Sequence, residues 1–173
     1  SERIAEPSVA GLLIGKSCRA AELGVRMTLD PESRLSAEPY CLPASAIITI
    51  LGNLIENAFD AFSAMPAGGG HQVDVSIRES AGGLLLSVDD NGPGMPPELA
   101  AHIFEPGATT KGEGRGTGLF LVKRITDAFH GEARVESTQG VGSSFIVAFR
   151  REETDEAPDA GGSSLTAPDG ADG

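Results

Sequence analysis

IITILGNLIENAFDA, residues 47–61, has the spacing of an amphipathic helix. At about 100° per residue, Asn53, Glu56, Asn57 and Asp60 fall on one narrow stripe. Ile47, Leu51, Leu54, Ile55, Ala58 and, one residue further, Phe62 take the opposite side and read as core. The polar stripe is the unusual part. Asn is a mediocre helix former, and a merely solvated face favours Glu, Lys or Gln. Two Asn four residues apart bring their side-chain oxygens to the same place, as ligands for a hard cation and its phosphates do. Taken alone, the stripe is equally a wet helix face.

Outward from this helix the chain alternates short elements. A helix is expected from Val9 to Leu23, entered through Pro7 and closed by Gly24. Val25, Met27 and Leu29 form a short strand ended by Asp30-Pro31, and residues 31–43, with three prolines, form a loop. Ser45 is a candidate N-cap for the central helix. Val73, Val75 and Ile77 alternate, then Ala81-Gly82-Gly83 turns the chain into Leu84, Leu86 and Val88, a hairpin. PELAAHIF, residues 97–104, is a short helix, and another runs from about Thr117 to Gly131. Two last strands, 133–137 and 144–149, flank a glycine turn. The order αβαββααββ predicts an α/β two-layer sandwich, a mixed sheet with helices gathered on one face.

With 173 residues, 40% of them hydrophobic, the chain suits one domain with a substantial core. It has no apolar run near the length of a membrane span. Cys18 and Cys41 lack metal-ligand spacing and read as reduced packing residues of a cytosolic domain. A net charge of −12 without a basic stripe argues against nucleic acid. Residues 151–173 carry seven acids against the single base Arg151, half of that charge, and Leu165 is their one large apolar residue. They are expected to form a disordered acidic tail following a folded domain over residues 1–150.

Two further stretches bear on chemistry. Asp90-Asn91-Gly92-Pro93-Gly94 follows a buried strand, where a carboxylate can accept a hydrogen bond from an exocyclic amine and the glycines let a flat ring approach. Residues 112–119, GEGRGTGL, run into a helix whose free N–H groups would face an anion. Lys111 and Arg115 could add charge for a polyphosphate.

In this order the motifs resemble the GHKL ATPase superfamily, named for gyrase, Hsp90, histidine kinase and MutL. Within it the chain resembles the catalytic ATP-binding domain of bacterial sensor histidine kinases, with the Bergerat-type fold. ILGNLIENAFDA is similar to the N box, DDNGPGM to the first glycine box, IFEPGATTK to the kinase-type F box, and GRGTGL to the second glycine box. GVGSSFIVAF matches the closing strand, and residues 9–33 together with the N box resemble the citrate and C4-dicarboxylate sensor branch.

The resemblance implies ATP and Mg²⁺ as cofactors. It places Asn57 on the metal, Asn53 and Glu56 beside the phosphates, and Asp90 on the adenine amine, with Gly92 and Gly94 shaping that pocket. Phe104 would anchor a lid over residues 105–115. Gly114, Gly116 and Gly118, in one box with Thr117 and Leu119, would bring backbone amides to the phosphates, and Lys111 or Arg115 could reach them in a closed lid. The hydrolytic branch carries a Glu four residues before the metal-binding Asn; here that residue is Asn53, so rapid hydrolysis is not expected. Transfer of a phosphoryl group to an imidazole needs mainly positioning and charge neutralisation.

His71, His102 and His130 do not fit a phosphoacceptor, which lies on a helical dimerisation domain and is usually followed by an acid. Surface or capping roles suit all three. The chain is therefore expected to be the catalytic domain alone, monomeric in isolation. Its partners would be its own dimerisation domain, within a homodimeric inner-membrane kinase, and a response regulator. The alternatives are an ATP-driven clamp like gyrase or MutL, and a nucleotide-dependent binding module without transfer.

Overall fold

A computed structural model describes residues 3–66, 68–107 and 117–151. The elements, in chain order, are α1 (Pro7–Glu22), β1 (Arg26–Leu29), α2 (Ala44–Phe62), β2 (Gln72–Ser80), β3 (Gly83–Asp90), α3 (Pro97–Ala100), α4 (Thr117–Ala128), β4 (Glu132–Thr138) and β5 (Gly142–Arg150). Types and order match the sequence expectation. The five strands form one sheet ordered β1-β2-β3-β5-β4, with β1 parallel to β2 and every other pair antiparallel.

Alternation decides which face of the sheet is covered. Val73, Val75 and Ile77 on β2, Leu84, Leu86 and Val88 on β3, and Phe145, Val147 and Phe149 on β5 are all buried. Between them Asp74, Ser76, Ser87 and Ser144 point the other way and stay half-exposed or exposed to solvent. The buried face receives α2, whose Ile47, Ile50, Leu51, Leu54 and Ile55 have no exposed surface. Helix α2 also packs against α1 and α4, which completes the helical layer. This is a two-layer α/β sandwich.

Local chemistry sets the ends of the elements. Glu6 accepts a 2.7 Å bond from the Val9 amide, and Pro7 takes the first helical position of α1. Gly24 follows that helix at φ 72°. Two expected boundaries are corrected. Ser45 does not cap α2: the cap residue is Pro43, without a side-chain bond, and Ser45 lies inside the helix. The helix expected over 97–104 stops at Ala100, because the bonds from His102 to Leu99 and from Ile103 to Ala100 have tightened to i→i−3 turns. Cys18 is exposed on α1, not packed, whereas Cys41 is partly buried against the core. The expected tail, beyond Arg151, and most of the expected lid lie outside the described residues.

Candidate functional site

Asn53, Glu56, Asn57 and Asp60 are all half-buried on α2, along the stripe that the helical period gives them. Asn53 Nδ2 donates to the Thr49 carbonyl at 2.7 Å, which orients its amide. Its Oδ1 then faces Gly118 at the start of α4. A first side-chain carbon on Gly118 would lie 2.8 Å from that oxygen. Two turns further along α2, the loop after β3 makes a second close approach. A side chain on Gly92 would meet Ala61 Cβ at 3.1 Å and Asp90 Oδ1 at 2.8 Å. The Asn stripe therefore runs between α4 and the loop after β3, with glycines where each approaches it.

Asp90 ends β3 and is 8% exposed. Its Oδ1 accepts the Gly92 N–H at 2.9 Å. Burial raises its pKa; bonds from the Gly92 and Ser143 backbone amides oppose the rise, and the Asp89 charge adds to it. The loop that carries Gly92 is held at both ends. Asn91 donates to the Gly70 carbonyl at 2.5 Å and accepts from the Gln72 amide at 2.8 Å. The Gly140 amide donates to the Pro93 carbonyl at 2.7 Å, and the Met95 amide to Ser137 Oγ at 2.9 Å. Gly94, at φ 67°, passes so close to the Thr138 carbonyl that any side chain there would collide with it. Gly94 thus seats the loop on the β4–β5 turn. Asn91 and Ser137 were not singled out in the sequence; their partners lie far along the chain, and only the asparagine within the glycine box hinted at a role.

Two expected site residues, Glu56 and Leu119, sit differently from the expectation. Glu56 is turned away: its Oε1 accepts from Lys16 Nζ at 2.7 Å and Arg19 Nε at 3.2 Å, both on α1. About 100° round the helix from Asn57, it meets the neighbouring helix first. Leu119 is 5% exposed and belongs to the core, so its side chain anchors α4. Phe104 packs edge-on against Phe145, ring centroids 6.1 Å apart, which ties the start of the following segment to the sheet. Lys111, Gly114, Arg115 and Gly116 lie outside the described residues, as does the side chain of Thr117. His71 stacks on Phe62 at 4.4 Å, His102 bonds Glu105 at 3.0 Å, and His130 closes α4 at φ 59°.

Among the described residues no three His, Cys, Asp or Glu side chains gather to hold a metal. What Asn53 and Asn57 offer a cation is neutral amide oxygen. That donor set suits a hard cation whose charge is matched mainly by phosphates and whose remaining positions are filled by water. A groove of about 970 Å³ opens at the end of the sheet near Asp74, Asp89, Pro97, Glu136 and Thr138. Asp90 is the one expected site residue lining it, and its acidic walls do not suit a polyphosphate.

Residues 43–153 match the family model described as histidine kinase-, DNA gyrase B-, and HSP90-like ATPase. The sensor histidine kinase DcuS of Escherichia coli (strain K12) is 40% identical over 145 residues, 84% of this chain and 26% of that protein. The sensor protein CitS of Halalkalibacterium halodurans is 36% identical over 156 residues, 90% of this chain and 29% of that protein. The chain thus spans about a quarter of the length of these curated relatives. Full-length ShkA, solved in complex with AMPPNP, superposes with a TM-score of 0.66 at 29% identity, covering 82% of this chain and 29% of that one.

Proposed function

The chain belongs to the histidine kinase-, DNA gyrase B- and HSP90-like ATPase family, and from that premise we propose that it is the ATP-binding catalytic domain of a sensor histidine kinase. The domain, residues 1–150, binds Mg-ATP and presents the γ-phosphoryl group to a histidine on a dimerisation domain outside this chain. The phosphohistidine then serves a response regulator, and the whole kinase is a homodimer anchored in the inner membrane. Among the described residues no helix is long and apolar enough to cross a membrane. The names of the relatives support the kinase reading, and both belong to sensors.

The observation that carries the proposal is the convergence on α2: Gly118 reaches Asn53 at one end of the stripe, while Gly92 and the buried Asp90 border it at the other. In this reading Asp90 accepts the adenine amino group beside Gly92, and Gly94 holds that loop in place. Asn57 ligates Mg²⁺, and Asn53 lies alongside the phosphates. Gly114, Gly116 and Gly118 open the backbone of the second glycine box, which Lys111, Arg115 and Thr117 supplement. Glu56 is given no contact with the nucleotide, because α1 holds its carboxylate. Bound Mg-ATP supplies the phosphoryl group, and the chain's own residues bind, orient and neutralise charge. No carboxylate stands at position 53 to activate a water.

The test mixes the chain with the dimerisation domain of a citrate or C4-dicarboxylate sensor and γ-labelled ATP. Acid-labile, base-stable label on that domain is expected. Steady hydrolysis by the isolated chain without transfer would favour a clamp. ATP binding without either would leave a binding module.

A further inference from the structure

Two cations of α1 meet one carboxylate of α2. Lys16 Nζ and Arg19 Nε lie 2.7 and 3.2 Å from the same oxygen, Glu56 Oε1. The Lys16 side chain is 19% exposed and that of Arg19 52%, so lysine is the more enclosed partner. It lies one turn past Leu12, whose Cδ1 is the nearest atom to a side chain placed on Gly52. The seam between the two helices thus brings Lys16 to Glu56. Ion pairs this open to water add little to folding stability. Their effect is local and electrostatic.

Glu56 directly precedes Asn57 and shares the α2 stripe with Asn53 and Asp60. A polyphosphate on that stripe enters a chain whose net charge is −12. A free carboxylate beside Asn57 would repel it, and the side chain is long enough to swing along the helix face. We propose that Lys16 is a positioning residue for nucleotide binding: it draws the Glu56 carboxylate toward α1 and neutralises it, keeping negative charge off the Asn53–Asn57 stripe. The inference rests on the nucleotide-binding reading above. Lys16 acts through Glu56 and is assigned no contact with phosphate.

Calorimetry on the full chain tests it, comparing Mg-ATP with adenosine, which has the ring and sugar but no phosphate. For Lys16→Met, ATP affinity should fall on the order of tenfold, the size of one charge interaction at partly solvated range. Adenosine affinity should not change, and neither should the thermal midpoint. Adding Glu56→Gln to Lys16→Met should restore ATP affinity, because the charge that Lys16 restrains is gone. Restoration by the double variant separates this role from direct phosphate contact, which Glu56→Gln cannot replace. Equal losses for ATP and adenosine, no loss for ATP, or no restoration would each overturn the inference. Failure of the unaltered chain to bind ATP would remove the nucleotide reading and this inference with it, whereas normal binding with no effect of Lys16→Met would remove this inference alone.

Discussion

At the scale of single residues, Asp90 carries the sharpest expectations. A carboxylate that is 8% exposed is costly unless something uses it, and the Gly92 and Ser143 amides only partly compensate its burial. Asp90→Ala should weaken adenosine and ATP alike by about 1–3 kcal/mol, since it leaves the adenine amine without its acceptor; equal calorimetric affinities would remove the adenine assignment. The raised pKa also fixes the sign of a pH effect. Folded Asp90 holds its proton more tightly than it does in the unfolded chain, so its contribution to stability is fully present below the unfolded value of 3.8 and lost as pH rises through the folded value. Relative to Asp90→Asn, the wild-type urea midpoint should therefore improve as pH falls toward that window. Asp30 works in the opposite sense. Bonded by Arg78 at 2.6 Å, it has a lowered pKa and contributes stability that acid removes.

At the scale of elements, α2 has two faces that should separate by mutation. Ile50 has no exposed surface, so Ile50→Ala should cost about 2–5 kcal/mol in denaturant titration. Asn57→Ala, on the half-buried stripe, should change stability by no more than about 0.5 kcal/mol while abolishing the magnesium-dependent part of ATP binding. A collapsed fold in that variant would make Asn57 a structural residue. Both faces were legible because helical periodicity is a local property, as were the two hairpins with their short glycine turns. What periodicity leaves open is which neighbour a stripe residue meets. Glu56 shares a stripe with Asn53, but its partners Lys16 and Arg19 lie 40 and 37 residues earlier, and no local pattern announces that pairing. Ser45 shows the same limit at short range. Serine is a favoured cap, yet Pro43, extended at ψ 150°, already turns the chain into the helix and leaves Ser45 inside it.

For the whole molecule, the sequence indicated layers and hairpins but not the order of strands. The placement of β5 against β3 joins residues 83–90 to 143–150 across two helices, and the parallel seat of β1 beside β2 depends on long-range packing that no short motif encodes. That topology also bears on where the domain ends. Strand β5 closes at Arg150, and the Arg151 amide then donates to the Gly82 carbonyl at 3.0 Å, while its guanidinium covers Tyr40 at 4.7 Å. Arg151, the first residue of the expected tail, thus contacts the β2–β3 turn and Tyr40. Deleting residues 152–173 should leave the thermal midpoint within about 2 °C, since a segment with seven acids and Leu165 as its one large apolar residue has little apolar surface to bury. The deletion removes seven of the chain's acids. ATP affinity should therefore rise modestly at low salt and match the full chain near 0.15 M, where charges separated by more than about 8 Å are screened. A midpoint lowered by more than about 4 °C would mean that the acidic segment packs on the domain, and the boundary would have to move beyond Arg151.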